Sequence, residues 1–180
     1  MNIALHEPWT LARFLAWEDK QEGRFEFDGT QIVEVTGASR GHQRIVSNLV
    51  RLLEDILNAD RFDVAPEMRL QVGNRIRYPD VSVVPGQVPA SVRTLLDAIV
   101  LFEVTSPDSA AIDREQKPDE YAALPSIRST VILEQTKPEA TVLSRAPDGW
   151  DEQTVTDALQ LPAIGVTLPL ASIYRGVRFD

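Results

Sequence analysis

Two short β-branched runs constrain this chain more than any other feature: Tyr78-Pro79-Asp80-Val81-Ser82-Val83-Val84 and Ile99-Val100-Leu101-Phe102-Glu103-Val104-Thr105. Each has the composition of a buried strand, and each carries one carboxylate among residues that favour the interior. A lone buried carboxylate is costly unless it is paired, hydrogen-bonded or bound to a cation. If the two strands lie side by side, Asp80 and Glu103 converge on one point. Oxygen donors of that kind suit Mg²⁺.

Composition narrows the chemistry further. The 180 residues, 43% hydrophobic and 25% charged, suit one soluble domain with its own core. The absence of cysteine excludes disulfides, thiolate metal sites and a cysteine nucleophile, and two histidines are too few for a His-rich zinc centre. The segment from Met1 to Pro8 contains Glu7 and lacks the basic and apolar regions of a secretory signal. No run approaches the roughly 18 apolar residues that span a bilayer. A cytoplasmic protein with no membrane association is expected. The net charge of −9 counts against a broad phosphate-gripping surface. It lowers the case for a nucleic-acid substrate without excluding it, since a local cluster can oppose the net charge and a cation site itself needs acidic residues.

The element pattern is mixed. Thr10 caps a short helix running to Gln21, and a hairpin follows over 24–35 with Asp28-Gly29 at its turn. Residues 41–58 form the clearest helix, with an apolar stripe of Ile45, Val46, Leu49, Val50, Leu52, Leu53, Ile56 and Leu57. Strands are expected over 62–72, 75–84 and 99–105, with a loop over 89–98. A helix spans about 112–123 and stops before Pro125, and a strand covers 128–135. A peripheral hairpin is expected over 139–175. The organisation is thus a single domain, 1–180, with a core at about 41–135 and an N-terminal helix and hairpin at 10–36. The order helix, three strands, helix, strand implies an α/β architecture, a mixed sheet flanked by helices.

This αβββαβ order, with the residues Glu26-Phe27-Asp28-Gly29, His42, Pro79-Asp80-Val81-Ser82-Val83, Glu103-Val104-Thr105-Ser106-Pro107 and Asp113-x₃-Lys117-x₃-Tyr121, resembles the Uma-two family of restriction-endonuclease-like proteins, a branch of the PD-(D/E)xK nuclease superfamily. The resemblance runs from Thr10 to about Ile173. It implies a DNA endonuclease that hydrolyses phosphodiester bonds with Mg²⁺, for which Mn²⁺ can substitute, and that works as a homodimer through the apolar helix or the N-terminal hairpin. Asp80 and Glu103 match the metal-holding acids, and the Val104 backbone carbonyl is a further candidate ligand. The superfamily places a lysine two residues after its second acid. Thr105 stands there in this chain, and Lys117 on the following helix matches the Uma-two lysine instead. Glu26, His42, Asp113 and Tyr121 are accessory positions of the same pattern.

Plainer readings stand beside these. Asp113 and Lys117 have the spacing of an ordinary helix ion pair. His42 lies on an apolar stripe, as a hydrogen-bonded core histidine does. Glu26 can pair across its hairpin with a basic residue. Arg40, Arg44, Arg51, Arg69, Arg75 and Arg77 are the one basic concentration, and Arg75 and Arg77 face either phosphate or open solvent. Two further functions fit: a catalytically inactive nuclease-fold module for interaction or regulation, and a hydrolase of small phosphorylated substrates.

Overall fold

The computed structural model describes residues 7–35, 37–106 and 116–179. Thr10 Oγ1 accepts from Arg13 N at 3.2 Å and opens α1 (Leu11–Glu18). The hairpin of β1 (Phe25–Phe27) and β2 (Ile32–Glu34) turns through Asp28, whose Oδ1 accepts from the N–H groups of Thr30 and Gln31. Gly29 there has φ +98°, a conformation that resists a side chain. Ser39 Oγ accepts from His42 N and starts α2 (Arg40–Ile56), which buries Ile45, Leu49 and Leu53 completely. Ile56, expected on that stripe, is half-exposed at the helix end.

The largest departure from the expected pattern comes next. The sequence predicts unbroken strands over 62–72 and 75–84, and the structure breaks both. The first divides into β3 (Phe62–Pro66) and β4 (Arg69–Val72), with Glu67 at φ +50° between them. The second divides into β5 (Arg75–Arg77) and β6 (Val81–Pro85), separated by Tyr78-Pro79-Asp80. Pro79 has no N–H to give to a ladder. At this level Glu67 N donates to Asp80 O at 3.1 Å, so the two breaks stay in register. The broken hairpin passes from one sheet into another.

Among the described residues, five strands form the first sheet in the order β2-β1-β5-β4-β7, where β7 (Thr94–Leu95) lies in the segment expected to be loop. The second holds β3 and β6 with β8 (Val100–Val104), and, after α3 (Lys117–Ala122), β9 (Ser129–Leu133), β10 (Ala140–Ala146) and β11 (Gly149–Val155). Its order is β11-β10-β9-β8-β6-β3. The β6–β8 pairing is antiparallel and β8–β9 is parallel, as a helical crossover requires. Helix α2, strands β3, β6 and β8, helix α3 and strand β9 therefore reproduce the expected αβββαβ order, with β4 and β5 as an excursion.

One face of the six-stranded sheet packs Val81, Val83, Phe102 and Val104 against Ile45, Leu49 and Leu53. The C-terminal segment is not peripheral. The hairpin β12 (Ala158–Leu161) and β13 (Val166–Pro169), with α4 (Leu170–Ile173), drives Leu159, Leu161, Leu168 and Ile173 into that same core. Buried Asn48 ties the layers, its Nδ2 donating to the carbonyls of Ile173 and Arg175 at 2.8 and 2.9 Å. The other sheet face carries Leu101 and Val84 and meets Leu70, Val72 and Tyr121. No helix among the described residues is long and apolar enough to cross a membrane.

Tyr78, at the break, reaches back to α1. Its hydroxyl donates to Glu18 Oε1 at 2.6 Å and accepts from Arg69 Nε at 3.2 Å, while Arg69 also pairs with Glu18 and Asp19. Burial, helped by the Glu18 charge against the opposing Arg69, pushes the phenol up to about 12.

Two outcomes test this packing. Leu49→Ala should cost about 2–5 kcal/mol in urea unfolding, and Ile56→Ala should stay within about 0.5 kcal/mol of native. Because the folded pKa of Tyr78 is raised above the value of 10.0 for a free tyrosine, its neutral phenol stabilises the fold fully below pH 10. That contribution is lost as the pH climbs toward about 12. The stability gap between native protein and Tyr78→Phe should therefore be wider at about pH 8 than at about pH 11.

Candidate active site

The break after β5 places Asp80 at the end of the six-stranded sheet. The register that pairs Val81 with Phe102 leads, one residue further, to Asp80 opposite Glu103. Asp80 Oδ2 accepts from Val104 N at 2.6 Å and lies 3.2 Å from His42 Nε2. The cap at Ser39 sets His42 in the first turn of α2, at this same sheet end. In extended backbone the N–H and C=O of one residue point to the same side. The Val104 carbonyl is thus directed toward Asp80 as well.

Glu103 alternates with Phe102 and Val104 and so emerges on the face opposite α2, where α3 covers it. Tyr121 is fully buried, and its hydroxyl donates to Glu103 Oε1 at 2.6 Å. Burial, with the Glu103 charge beside it, holds this phenol well above the ordinary tyrosine range, so it acts as a donor and not as a base. Lys117, one turn earlier on the same face of α3, sets Nζ 3.3 Å from Glu103 Oε1 and 3.3 Å from Glu26 Oε1.

Glu26 arrives from the other sheet. The β1–β5 register pairs Phe27 with Ile76, so Glu26 stands opposite Arg77 one step along. Phe27 and Ile76 point to α1, and the charged pair points the other way, to α3. Arg77 NH1 donates to Glu26 Oε2 at 3.1 Å, and Arg77 Nε and NH2 fork onto the two oxygens of Glu120 at 2.8 Å each. Burial alone lowers the guanidinium pKa. The Glu120 hydrogen bonds and the Glu26 charge outweigh it and hold the group above the usual arginine value. Helix α3 is terminated by Arg145, whose NH2 donates to the carbonyls of Ala122 and Leu124.

The structure therefore assembles Asp80, His42 and Val104 in one group, and Glu103, Lys117, Tyr121 and Glu26 in an adjoining one. His42 is buried and hydrogen-bonded as expected, and its partner is Asp80. Glu26 does not pair across its own hairpin, where its register partner is Val33; it pairs with Arg77 of β5 and Lys117 of α3. Arg77 is only 3% exposed, so it faces neither phosphate nor open solvent. Arg75, half-exposed, pairs with Glu120. Asp113 lies outside the described residues. Thr105, in place of the superfamily lysine, turns its hydroxyl to Glu134 Oε2 at 3.3 Å. Sequence reasoning did not connect Glu120 to the site, and it gives Arg77 phosphate or solvent as its contact in place of Glu120. The helix spacing held the signal: Glu120 is three residues after Lys117, on the same face.

The side chains and carbonyl named here are oxygen donors, the type a hard divalent cation takes. Mg²⁺ keeps several waters and needs few protein ligands, so two carboxylates and one carbonyl would suffice to hold it. Among the described residues no group of three or more His, Asp or Glu forms a ready metal cage. A groove of about 490 Å³ begins at His42 and runs along α2 past Gln43, Val50, Arg51, Pro66 and Glu67.

Residues 11–171 match the model of the Uma2 family, described as "Putative restriction endonuclease". Two proteins of Synechocystis sp. (strain ATCC 27184 / PCC 6803 / Kazusa) are each 28% identical to this chain. Uncharacterized protein slr1290 aligns over 173 residues, 92% of this chain and 91% of that protein. Uncharacterized protein sll1609 aligns over 141, or 75% and 80% respectively. A crystal structure from Anabaena variabilis ATCC 29413, described as "a putative nuclease belonging to DUF820", superposes with a TM-score of 0.75 at 16% identity. It covers 93% of this chain and 98% of that one, which shows a shared fold. The family match takes in α1, both larger sheets and the strand ends that carry Asp80 and Glu103: this chain belongs to the Uma2 family.

Proposed function

We propose that this protein is a Mg²⁺-dependent endonuclease that hydrolyses phosphodiester bonds in DNA. The observation that carries the reading is Lys117, delivered by a separate helix to within 3.3 Å of Glu103, whose strand partner is Asp80. The family match and the nuclease-like fold support it. Asp80, Glu103 and the Val104 carbonyl would hold the cation. When bound, a divalent ion polarises the phosphate and lowers the pKa of an attacking water. Lys117 then stabilises charge that develops on the phosphate oxygens. Tyr121 keeps Glu103 oriented through Oε1, and His42 does the same for Asp80 through Oδ2. The groove beside His42 offers a path for the strand beyond the scissile bond.

Cutting both strands takes two sites, and a homodimer belongs to this reading. The apolar stripe of α2 is consumed by the core, so the N-terminal hairpin, with Val33 and Val35 exposed, is the surface left for it. A second reading, a nuclease-fold module without turnover, draws on one observation: Lys117 and Tyr121 already engage Glu103 Oε1, as a purely structural ion network does.

Plasmid cleavage with Mg²⁺ or Mn²⁺ titrated in separates the two. On the catalytic reading, Asp80→Ala and Glu103→Gln should each lose activity by on the order of 10³-fold. Lys117→Ala should lose about 10²–10³-fold. Calorimetric Mg²⁺ binding should vanish in Asp80→Ala, while urea stability falls by about 1–3 kcal/mol through the stranded Val104 N–H. Native protein that neither cleaves nor binds a divalent ion would establish the silent module.

A further inference from the structure

Among the described residues helix α3 runs from Lys117 to Ala122, and its N-cap Gln116 makes no side-chain capping bond. Its position therefore depends on what its side chains grip. Three side chains on one face, Lys117, Glu120 and Tyr121, fasten it to the two sheets. Of these, the Glu120 fork is the geometrically strictest, since two parallel N–H···O bonds set both distance and plane. The same guanidinium also holds Glu26, and Glu26 Oε1 meets both Lys117 Nζ and the N–H of Tyr78, two residues before Asp80. One arginine thus sets the position of the helix that carries Lys117 and of a carboxylate that receives it.

We propose that Arg77 is a positioning residue: gripped by Glu120 of α3 and Glu26 of β1, it fixes where the Lys117 ammonium stands against Glu103. The proposal deepens the nuclease reading and rests on it for its catalytic consequence alone. Arg77 touches no substrate and is buried beneath the site. Misplacing a reacting or stabilising group by about 1 Å costs on the order of 10²-fold in rate, so the guanidinium controls turnover at a distance.

The experiment must separate aim from stability. Arg77→Met by itself strands Glu120 and threatens the fold, whereas replacing both partners of a buried ion pair by apolar residues is often tolerated. The test protein is therefore Arg77→Met/Glu120→Met, with the single variant Glu120→Gln as a milder second probe should the double variant fail to fold. The chain has three lysines, Lys20, Lys117 and Lys137, so a ¹³C-lysine spectrum resolves Lys117 once Lys117→Arg identifies its signal. In the variant the Lys117 resonance should move toward that of the two exposed lysines. The kcat should fall at least tenfold, with half-saturating Mg²⁺ within about twofold of native. A purely structural role predicts native kcat once stability is native, and that result would overturn the proposal, as would an unmoved Lys117 resonance. If native protein cleaves nothing, the nuclease reading fails and the resonance alone decides whether Arg77 aims Lys117.

Discussion

The arrangement of this site depends on charges buried between two sheets. Glu26, Glu103 and Glu120 sit under α3 with Arg77 and Lys117, and all five are at most 9% exposed. Each would be expensive without its neighbours, because removal from water costs more than most single contacts return. Shared partners resolve this: among the described residues Arg77 bridges Glu26 and Glu120, and Lys117 bridges Glu26 and Glu103. Such a network adds little net stability compared with apolar packing. Its geometry is another matter, because moving one member strips a partner from the next.

The same accounting explains how a chain of net charge −9 carries its arginines. Arg69, Arg75 and Arg77 form half of the basic concentration noted in the sequence, and all three are engaged by acids of the protein itself. They lie on β4 and β5, the excursion that joins the sheets, and hold it to α1 and α3. Arg51, by contrast, lies on α2 and borders the groove there.

The paired breaks at Glu67 and Pro79 connect fold to site. A continuous strand would alternate Tyr78 and Asp80 onto the same face. The break instead sends the Tyr78 hydroxyl to Glu18 of α1, while Asp80 turns to His42 and to the Val104 N–H at the buried end of β8. Glu67 accepts a backbone conformation unusual for a side-chain-bearing residue. Its N–H, donating to the Asp80 carbonyl, keeps the two halves of the hairpin together where they part from their sheets.

Local patterning determined much of this by itself. The caps at Thr10 and Ser39, the turn at Gly29, the α2 stripe and the apolar runs of β6, β8 and β9 all follow from short-range chemistry. Spacing along α3 was enough to put Lys117 and Tyr121 on one face. Asp80 and Glu103 each stood out because a carboxylate inside a β-branched run demands a partner. Tertiary structure alone decided which partners those are. Glu26 meets Arg77 only because β1 pairs with β5, and Arg77 meets Glu120 only because the split hairpin carries β5 under α3. Nor does the C-terminal segment show locally that it must cover α2. Periodicity reports which face of an element is buried, but the identity of what lies against that face is a long-range property, set by how the whole chain closes over its core.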